Sequence, residues 1–375
     1  MDHVVVHQFD PAKPVAGGID GFIREFVHYA PEDVSFSIVG VDATGRHTLG
    51  NWTKVVLGGR SVRFMPVARL DAGRQQRRIP HSLRLIAGLI RYRPEIGHGV
   101  IHTQRAELGA AVAVLYPHSW RLQVLQGDAA TGLGRESDTL WRSSPRLYHA
   151  LERFAVRRAQ RTVVMSTPAA ERLRRLSPTV VAGTNWFDGE IFHWRSGIRA
   201  HSTPRVGWAG RLEPPKDPLR AVRVFRALQQ AGVRFDAWIA GSGTLADDVA
   251  RALNDNGLSR DVRVLGLLSV EQLADELSTT DVLLMTSAFE GVPRGALEAL
   301  ACGVPVVAPD VGDLNRFVID GVNGYLSSDG SDDALAALII KALAIERGSE
   351  VAATVAPREA RRVVAELFSA LSTGA

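Results

Sequence analysis

The stretch Ser287–Gly312, SAFEGVPRGALEALACGVPVVAPDVG, indicates how this part of the chain folds. The apolar run Asp281–Met285 just before it predicts a buried strand, and Pro305–Ala308 predicts the next one. Between them, Pro293 suits the first turn of a helix, where its missing N–H costs nothing. That helix should cover Gly295–Ala301, and a glycine soon after it should end it. The order strand, loop, helix, strand is typical of a parallel α/β sheet.

Two glutamates within this stretch are candidates for ligand binding. Glu290 would lie in the loop at the carboxyl end of the first strand, and Glu298 about one turn into the helix. In open α/β sheets, ligands bind at that edge, and helix N-termini there attract phosphate groups. The alternative is a solvated loop acid and a surface helix acid. It fits less well, because Glu290 is set among glycine, proline and apolar residues.

The stretch also contains ACGVPVVAPDVG and is followed by DGVNGYL at Asp320–Leu326. Together these segments resemble the donor-binding signature of retaining GT-B glycosyltransferases, specifically glycosyltransferase family 4 (glycosyl transferases group 1). The resemblance implies that Glu290 meets the donor sugar and that Glu298 binds the ribose hydroxyls of the nucleotide. It also implies the fold class, which is α/β with two doubly wound Rossmann-like domains facing each other across a cleft.

Two cations follow another predicted strand, Arg205–Ala209, in the loop that leads to a predicted helix, Pro218–Gln230. Arg211 binds anions as a planar fork and Lys216 as a point charge, so both would suit a diphosphate. By themselves they are ambiguous, and a solvated loop is the more common interpretation of such residues. They resemble the GRL…K motif of the family, whose Arg and Lys clamp the donor diphosphate, and the presence of Glu290 favours that function.

The segment Gly241–Ala246 fits the pattern Gly-x-Gly-x-x-Ala, with Asp261 twenty residues after its first glycine. It follows the second strand of its half, and Asp261 precedes a strand instead of ending one, so the dinucleotide fingerprint fails its context test. The resemblance instead puts this loop near the nucleotide. The further donor contacts that it implies, through backbone groups at the base or the β-phosphate, are Gly241, Leu265, Leu267, Arg294 and Gly295.

The N-terminal half contains weaker signals. A strand at His3–Gln8 and a helix at Ile19–Tyr29 enclose Gly17 and Gly18, which could present N–H groups to phosphate or simply form a turn. The resemblance implies that both glycines face the donor phosphate and the acceptor. His102, at the end of a later strand, fits a structural histidine better than a catalytic one.

Gln126 stands where many family members have a histidine that contacts the donor sugar. A glutamine can hydrogen-bond a sugar hydroxyl, but it cannot relay a proton as histidine can. Glu107 and Asp128 are further candidates for acceptor contacts.

A chain of 375 residues predicts two domains. We expect an N-terminal acceptor-side domain over 1–186 and a donor-binding domain over 187–356, with a last helix at 357–375 that packs back on the first. The single Cys302 excludes an intramolecular disulfide and fits core packing. No signal peptide pattern and no apolar run of membrane-spanning length is present, so we expect a cytoplasmic chain.

Charge is unevenly distributed along the chain. Residues 1–185 hold 25 Lys and Arg against 15 Asp and Glu, and Arg69–Arg93 alone holds seven Arg against one Asp. Leu83, Ile86 (or Leu85) and Ile90 share one face of a helix predicted there. Two interpretations stay open, a helix that meets anionic lipid or an anionic acceptor, and an ordinary helix with a solvated face. No nucleic-acid module is visible, so nucleic acid is not an expected partner.

The predicted reaction is glycosyl transfer from a nucleoside-diphosphate sugar to an acceptor hydroxyl, in bacterial polysaccharide or glycolipid assembly, with retention of configuration implied by the resemblance. The acceptor would be a sugar or a lipid-linked glycan, and the enzyme could bind peripherally at the inner face of the membrane. No Asp-x-Asp stands beside the donor motif, so we expect no metal and no cofactor. The alternatives are an epimerase or phosphorylase of the same fold and a non-catalytic sugar-nucleotide-binding protein. Gln126 argues against an epimerase, and Arg211, Lys216, Glu290 and Glu298 argue against mere binding.

Overall fold

A computed structural model describes residues 2–13, 18–70, 81–96, 99–127, 144–197 and 202–372. These residues form two compact units. The first contains the chain up to Thr184 together with the segment from Val364 onwards, and the second comprises Asn185–Val363. Gly17, Arg77, Arg78 and Asp128 lie outside the described residues.

In the described part of the first unit, eight strands form one sheet in the order β3-β4-β2-β1-β5-β6-β7-β8. The strands are β1 (Asp2–Val6), β2 (Ser35–Asp42), β3 (Thr53–Leu57), β4 (Arg60–Arg69), β5 (Val100–Thr103), β6 (Trp120–Leu125), β7 (Arg161–Val164) and β8 (Val180–Ala182). The helices between them are α1 (Gly18–His28), α2 (His81–Tyr92), α3 (Ala106–Leu115), α4 (Pro145–Arg158) and α5 (Thr167–Arg174). All pairings are parallel except the hairpin of β3 and β4.

The second unit has a six-stranded parallel sheet in the order β11-β10-β9-β12-β13-β14. Its strands are β9 (Arg205–Ala209), β10 (Asp236–Ala240), β11 (Val262–Gly266), β12 (Val282–Leu284), β13 (Val306–Pro309) and β14 (Gly324–Ser327). Its helices are α6 (Pro218–Gln230), α7 (Ala246–Asp255), α8 (Val270–Ser278), α9 (Arg294–Ala301), α10 (Asp332–Ala342) and α11 (Ser349–Ala353). A last helix, α12 (Ala360–Ser372), begins in this unit and from Val364 on belongs to the first.

Both sheets are buried on both faces, which is why their strands appear in the sequence as continuous apolar runs. In the first unit, α2 and α3 cover one face through Leu85, Leu89, Leu108 and Val112. Aromatic side chains cover the other face, where Phe26 of α1 stacks on Phe368 of α12 with ring centroids 4.9 Å apart.

The order of the second sheet sets the position of its candidate site. The chain starts in the middle at β9, runs outwards through β10 and β11, and then returns to the other side of β9 with β12. The loops after β9 and β12 therefore start from neighbouring strands. From the first loop the chain continues towards one edge of the sheet, and from the second towards the other edge. In open α/β sheets, ligands bind outside the carboxyl ends of the strands at such a switch point.

Several elements match the sequence prediction. β9 and α6 have the predicted bounds, and the strand, loop, helix and strand around Glu290 are present. Cys302 is buried, as predicted, and burial raises the pKa of its thiol to about 12.

Other elements differ. The antiparallel β3 was not predicted, because its alternating pattern is short; it turns into β4 through Gly58 and Gly59, both with positive φ. The last helix begins at Ala360 instead of 357. Phe187 N–H donates to the carbonyl of Arg358, and Ala360 N–H donates to the carbonyl of Phe187, so the segment before Ala360 forms a separate turn.

The helix predicted within the arginine-rich segment Arg69–Arg93 forms as α2. The residues that it buries are not those at the two ends of the predicted apolar face. Leu85 and Leu89 point into the core, whereas Leu83 and Ile90 are exposed. Among the described residues, no helix has the length and apolar character needed to cross a bilayer.

Candidate active site

The loop after β9 is held against the loop after β12 by one buried hydroxyl. Thr286 Oγ1 accepts a hydrogen bond from Trp208 Nε1 at 2.8 Å. Its single hydroxyl proton is shared between the carbonyl oxygens of Lys216, at 2.9 Å, and Asp217, at 2.8 Å. Thr286 and Trp208 are almost fully buried. Buried polar groups of this kind must be satisfied, so the hydroxyl fixes where the backbone at Lys216 can lie.

The same two loops make a second backbone contact and an ion pair. Ala288 N–H donates to the carbonyl of Pro215 at 3.1 Å. Lys216 Nζ then donates to Glu290 Oε1. The two side chains are only 26% and 10% exposed, so the pair lies partly out of water. The structure therefore brings together two of the predicted catalytic residues that are far apart in the sequence.

Asp217 reverses the chain directly after Lys216. Its backbone is left-handed, with φ 43° and ψ 63°, a conformation that costs most residues about 1 kcal/mol or more. Its side chain caps α6 by accepting a hydrogen bond from Arg220 N–H at 3.0 Å. The cap and the Thr286 contact hold this strained residue in place, and Lys216 stays directed at the second loop.

A third loop, after β10, packs so closely on the loop after β9 that only glycine fits. A Cβ on Gly241 would lie 1.8 Å from the carbonyl oxygen of Gly210, and Gly241 has φ +142°. Leu212 N–H donates to the carbonyl of Ser242 at 2.9 Å, and the Glu213 carboxylate accepts from Thr244 N–H at 3.0 Å. Gly241 thus has a structural role here; its predicted nucleotide contact stays a prediction.

The start of α9 lies next to Glu290. Arg294 is its first residue, and a Cβ placed on Gly295 would meet nothing within 4 Å, so the helix N-terminus opens onto unfilled space. Gly312 packs against the carbonyl of Glu290, where a Cβ would come within 2.3 Å. Asp313 N–H donates to the carbonyl of Gly291 at 3.0 Å, which fixes the loop from the other side.

Glu298 lies one turn along α9, as predicted, but it is buried instead of solvated. Arg294 is four residues earlier on the same face, and its Nη2 lies 3.5 Å from Glu298 Oε1. Burial raises the pKa of the Glu298 carboxyl; Arg294 opposes that shift, and Asp188 adds to it. A carboxyl with a raised pKa inside a candidate site is a common feature of functional residues.

Apart from Gly17 and Gly18, the donor-side candidates from the sequence lie at the carboxyl edge of the second sheet or in the helix that starts there. Arg211 follows β9, Leu265 lies in β11 one residue before its end, and Leu267 follows β11 with an exposed side chain. Gly241 N–H donates to the carbonyl of Gly266 at 2.7 Å, which brings the β10 and β11 loops together. The roles predicted for these residues stay predictions.

In the first unit, Gln126 begins a chain of buried hydrogen bonds. Its amide donates to Gln104 Oε1 at 2.9 Å, and Gln104 Nε2 lies 2.9 Å from His102 Nε2. Burial lowers the pKa of His102 to about 3, so the imidazole is neutral and accepts this bond. His102 is therefore structural, as predicted.

The remaining candidates of the N-terminal half, Glu107 and Asp128 for the acceptor and Gly17 and Gly18 for the donor, have different surroundings. Glu107 is buried in α3, and its Oε1 lies 3.8 Å from Arg105 Nη1. Gly18 starts α1 with φ +65°. Gly17 and Asp128 lie outside the described residues. The contacts predicted for these residues stay predictions.

Sequence reasoning did not single out a polar pair at the edge of the first sheet. His7 follows β1, is 4% exposed, and has its Nε2 4.0 Å from Asp20 Oδ1. Burial, with a smaller contribution from Arg105, lowers the pKa of His7 well below its usual value. The available signal was a histidine directly after an apolar strand, at the edge where ligands of α/β sheets bind.

The comparison with protein families bears on the second unit. Residues 203–344 match the family model described as glycosyl transferases group 1. We call these residues the group 1 segment. The group 1 segment contains β9 to β14 and with them Arg211, Lys216, Glu290 and Glu298.

Curated relatives match parts of the chain. The amylovoran biosynthesis glycosyltransferase AmsK of Erwinia amylovora is 29% identical over 158 residues, 40% of this chain and 39% of that protein. The 2-deoxystreptamine glucosyltransferase of Streptomyces kanamyceticus is 29% identical over 211 residues, 52% of this chain and 54% of that protein. The chain thus matches only about half, or less, of the length of these relatives.

Solved structures establish the fold over the whole chain. Sucrose-phosphate synthase (tll1590) from Thermosynechococcus elongatus is similar over the full length of both chains, with a TM-score of 0.80 and 20% identity. Anabaena Alr3699/HepE, in complex with UDP and glucose, is likewise similar over both full lengths, with a TM-score of 0.73 and 17% identity. The predicted GT-B fold class is confirmed.

We predict that Thr286→Val destabilises the chain and also weakens nucleotide binding. The valine would leave the Trp208 N–H buried without its acceptor, which costs about 2 kcal/mol of unfolding free energy. Urea unfolding and calorimetric titration with a nucleoside diphosphate measure the two effects.

Thr280→Val is the matched control for Thr286→Val. Thr280 accepts from Trp238 Nε1 at 2.9 Å and donates to the carbonyl of Glu276, but it does not touch the loop after β9. Its substitution should destabilise the chain by a similar amount and leave nucleotide affinity unchanged. Equal losses of affinity in both variants would show that Thr286 acts only through stability.

The raised pKa of Glu298 predicts a pH-dependent cost in stability. The folded chain holds this proton more tightly than the unfolded chain, so wild-type stability should fall, relative to Glu298→Gln, as pH rises above the ordinary value of 4.5. Urea unfolding from pH 4 to pH 8 should show Glu298→Gln as the more stable protein at pH 7, with the difference shrinking towards pH 4. The matched control is Glu350→Gln, at an exposed glutamate of α11. If the difference in unfolding free energy between the wild type and Glu298→Gln does not change with pH, the pKa of Glu298 is not raised in the folded chain.

Proposed function

We propose that the chain is a glycosyltransferase that moves a glycosyl unit from a nucleoside-diphosphate sugar to an acceptor hydroxyl. The observation that carries this proposal is the Lys216–Glu290 pair beside the open N-terminus of α9. A cation, an anion and a helix N-terminus at one sheet edge suit a ligand that has both a diphosphate and sugar hydroxyls. The glycosyltransferase names of the curated relatives support the same activity.

In the proposed reaction, the bond between the anomeric carbon and the β-phosphate oxygen breaks, and the electron pair stays on the departing nucleoside diphosphate. Negative charge therefore grows on that oxygen. Lys216 has three N–H donors and uses one on Glu290, so the others can bind the phosphate. Arg211 and the N–H groups of Arg294 and Gly295 would add to this stabilisation, which acts most strongly where water is excluded.

The two glutamates have separate roles in this proposal. Glu290 accepts hydrogen bonds from sugar hydroxyls and keeps Lys216 directed at the site. Glu298 accepts hydrogen bonds from the ribose hydroxyls. Two oxygens of one carboxylate suit two neighbouring hydroxyls, and charged acceptors form the stronger hydrogen bonds.

The finer features of the proposal rest on the family resemblance. We propose retention of configuration at the anomeric carbon, transfer to a sugar or lipid-linked glycan, and a role in polysaccharide or glycolipid assembly at the inner face of the membrane. The amylovoran biosynthesis name of one relative supports the polysaccharide role. We also propose that the cations at the site replace a metal ion, so that chelators leave the activity unchanged. No observation favours an epimerase, a phosphorylase or a non-catalytic binding protein.

We expect Lys216→Ala to weaken binding of a nucleoside diphosphate much more than binding of the matching nucleoside. A lost charge-assisted hydrogen bond is worth about 1.5–3 kcal/mol, or roughly a ten- to hundredfold change in the dissociation constant. Isothermal titration with UDP, GDP and their nucleosides measures the difference. Lys341→Ala, at an exposed lysine of α10, is the matched control and should leave both affinities unchanged. Equal losses of affinity for nucleotide and nucleoside would show that Lys216 does not bind the diphosphate.

Product analysis with a panel of nucleotide sugars and glycan acceptors tests the activity itself. We predict a glycosylated acceptor and a nucleoside diphosphate in equal amounts. Glu290→Gln should lower kcat about a hundredfold, because it disturbs both the sugar and Lys216. An epimerised nucleotide sugar, or binding without any turnover across the panel, would instead support one of the alternative functions.

A further inference from the structure

Three helices of the first unit form one layer whose outer surface is not used by the candidate active site. α3 packs between α2 and α4, and together with the sheet they form the hydrophobic clusters of that face. The structure describes every residue of these three helices. Each of them exposes at least one large apolar side chain.

The exposed apolar side chains of α2 and α4 follow the helical repeat. Leu83 and Ile90 of α2 are two turns apart and 42% and 52% exposed. Leu147 and Phe154 of α4 have the same spacing and are 54% and 37% exposed. Residues seven apart lie on the same side of a helix, so each pair forms a short stripe. Val114 of α3, 66% exposed, is a fifth apolar side chain in this layer.

Arginines flank both stripes, and no acid of these three helices is exposed to balance them. The exposed arginines are Arg91, Arg146, Arg153, Arg157 and Arg158. α2 contains no acidic residue, and Glu107 of α3 is buried. Glu152 of α4 is also buried, and it accepts two hydrogen bonds from Arg172, at 2.8 and 3.1 Å. The surface of the layer is therefore both apolar and cationic.

We propose that this layer, α2, α3 and α4, docks on the surface of an anionic lipid membrane. Single exposed apolar residues are ordinary on protein surfaces, but stripes on neighbouring helices between arginines fit the interface of a bilayer. Apolar side chains enter the boundary of the acyl chains, while the aliphatic parts of arginines lie along it and their guanidinium groups reach the phosphates. Anionic lipid attracts each of these arginines, and the attractions act together.

A groove beside α4 offers a place for a headgroup phosphate. It has a volume of about 650 Å³ and lies between α4 and α5. Arg146, Arg153, His149 and Arg172 line it, together with the neutralised Glu152 and the apolar Leu176. A headgroup phosphate in this groove would face the guanidinium groups of Arg146 and Arg153, which neighbour Leu147 and Phe154 in the sequence of α4.

The apolar stripes favour lipid over nucleic acid as the occupant of this surface. Binding to a nucleic-acid backbone depends on Lys and Arg that neutralise phosphates, and it gains nothing from exposed leucine or isoleucine. Binding to a bilayer gains from both kinds of side chain. The two partners therefore respond differently when only the apolar residues are changed.

Sedimentation of the full chain with vesicles tests the proposal. Vesicles of phosphatidylglycerol and phosphatidylcholine should pull the wild type down at low salt, and vesicles of phosphatidylcholine alone should not. Arg146→Glu, Arg153→Glu and Arg157→Glu together should reduce binding to the anionic vesicles by at least about tenfold. If the wild type stays in the supernatant with anionic vesicles at low salt, the proposal is wrong.

Arg234→Glu, Arg251→Glu and Arg260→Glu together form the matched control. These arginines are exposed on the second unit, and the triple substitution changes net charge by the same amount. The control should bind anionic vesicles almost as well as the wild type. Equal losses in both triple variants would overturn the proposal, because they would show that net charge alone, and not this layer, sets the binding.

A second variant separates lipid from nucleic acid. Leu83→Ser and Ile90→Ser together should weaken vesicle binding several-fold and leave any binding to an RNA oligonucleotide unchanged. Tighter binding to RNA than to vesicles, with no effect of the serine substitutions, would overturn the proposal in favour of a nucleic-acid partner. The proposal does not depend on glycosyl transfer, because vesicle binding needs no donor. Nucleoside-diphosphate binding, measured in each variant, confirms that the chain is folded.

Discussion

The hydroxyl of Thr286 ties together the two loops on which the candidate site depends. It satisfies the Trp208 N–H and contacts the carbonyl oxygens of Lys216 and Asp217, so the loop after β9 is fixed relative to the loop after β12. Without that link, among the described residues, only the bond from Ala288 N–H to the carbonyl of Pro215 would join the backbones of the segments that hold Lys216 and Glu290. With it, their charges form a pair that is partly withdrawn from water and lies next to the start of α9, where phosphate is favoured.

Several features of the site reduce stability, and each of them places a group that the proposed function needs. Asp217 adopts a left-handed backbone directly after Lys216, and Gly241 fits where any side chain would collide with Gly210. Glu298 is buried, and its pKa is raised, so its ionised form costs folding energy at neutral pH. Strain and buried charge tend to gather at functional sites, because the surrounding structure holds them there.

The sequence predicted those features that depend on local pattern. The buried strands and the loop positions of Glu290 and Lys216 followed from apolar runs and turn residues, and the fold class followed from the motifs. The Thr286–Trp208 bond could not be predicted, because it joins residues far apart in the chain through a hydroxyl that has no sequence signature. The burial of Glu298, the pair of His7 and Asp20, and the exposed side of α2 likewise depend on how the elements pack.

A crystal structure of the full chain with a bound nucleoside diphosphate tests the central claim most directly. The account predicts that Lys216 Nζ lies within about 3 Å of a phosphate oxygen. It also predicts that Glu298 accepts hydrogen bonds from the ribose hydroxyls and that the phosphates face the first N–H groups of α9. A nucleotide bound away from these groups, or one that leaves Lys216 paired only with Glu290, would contradict it.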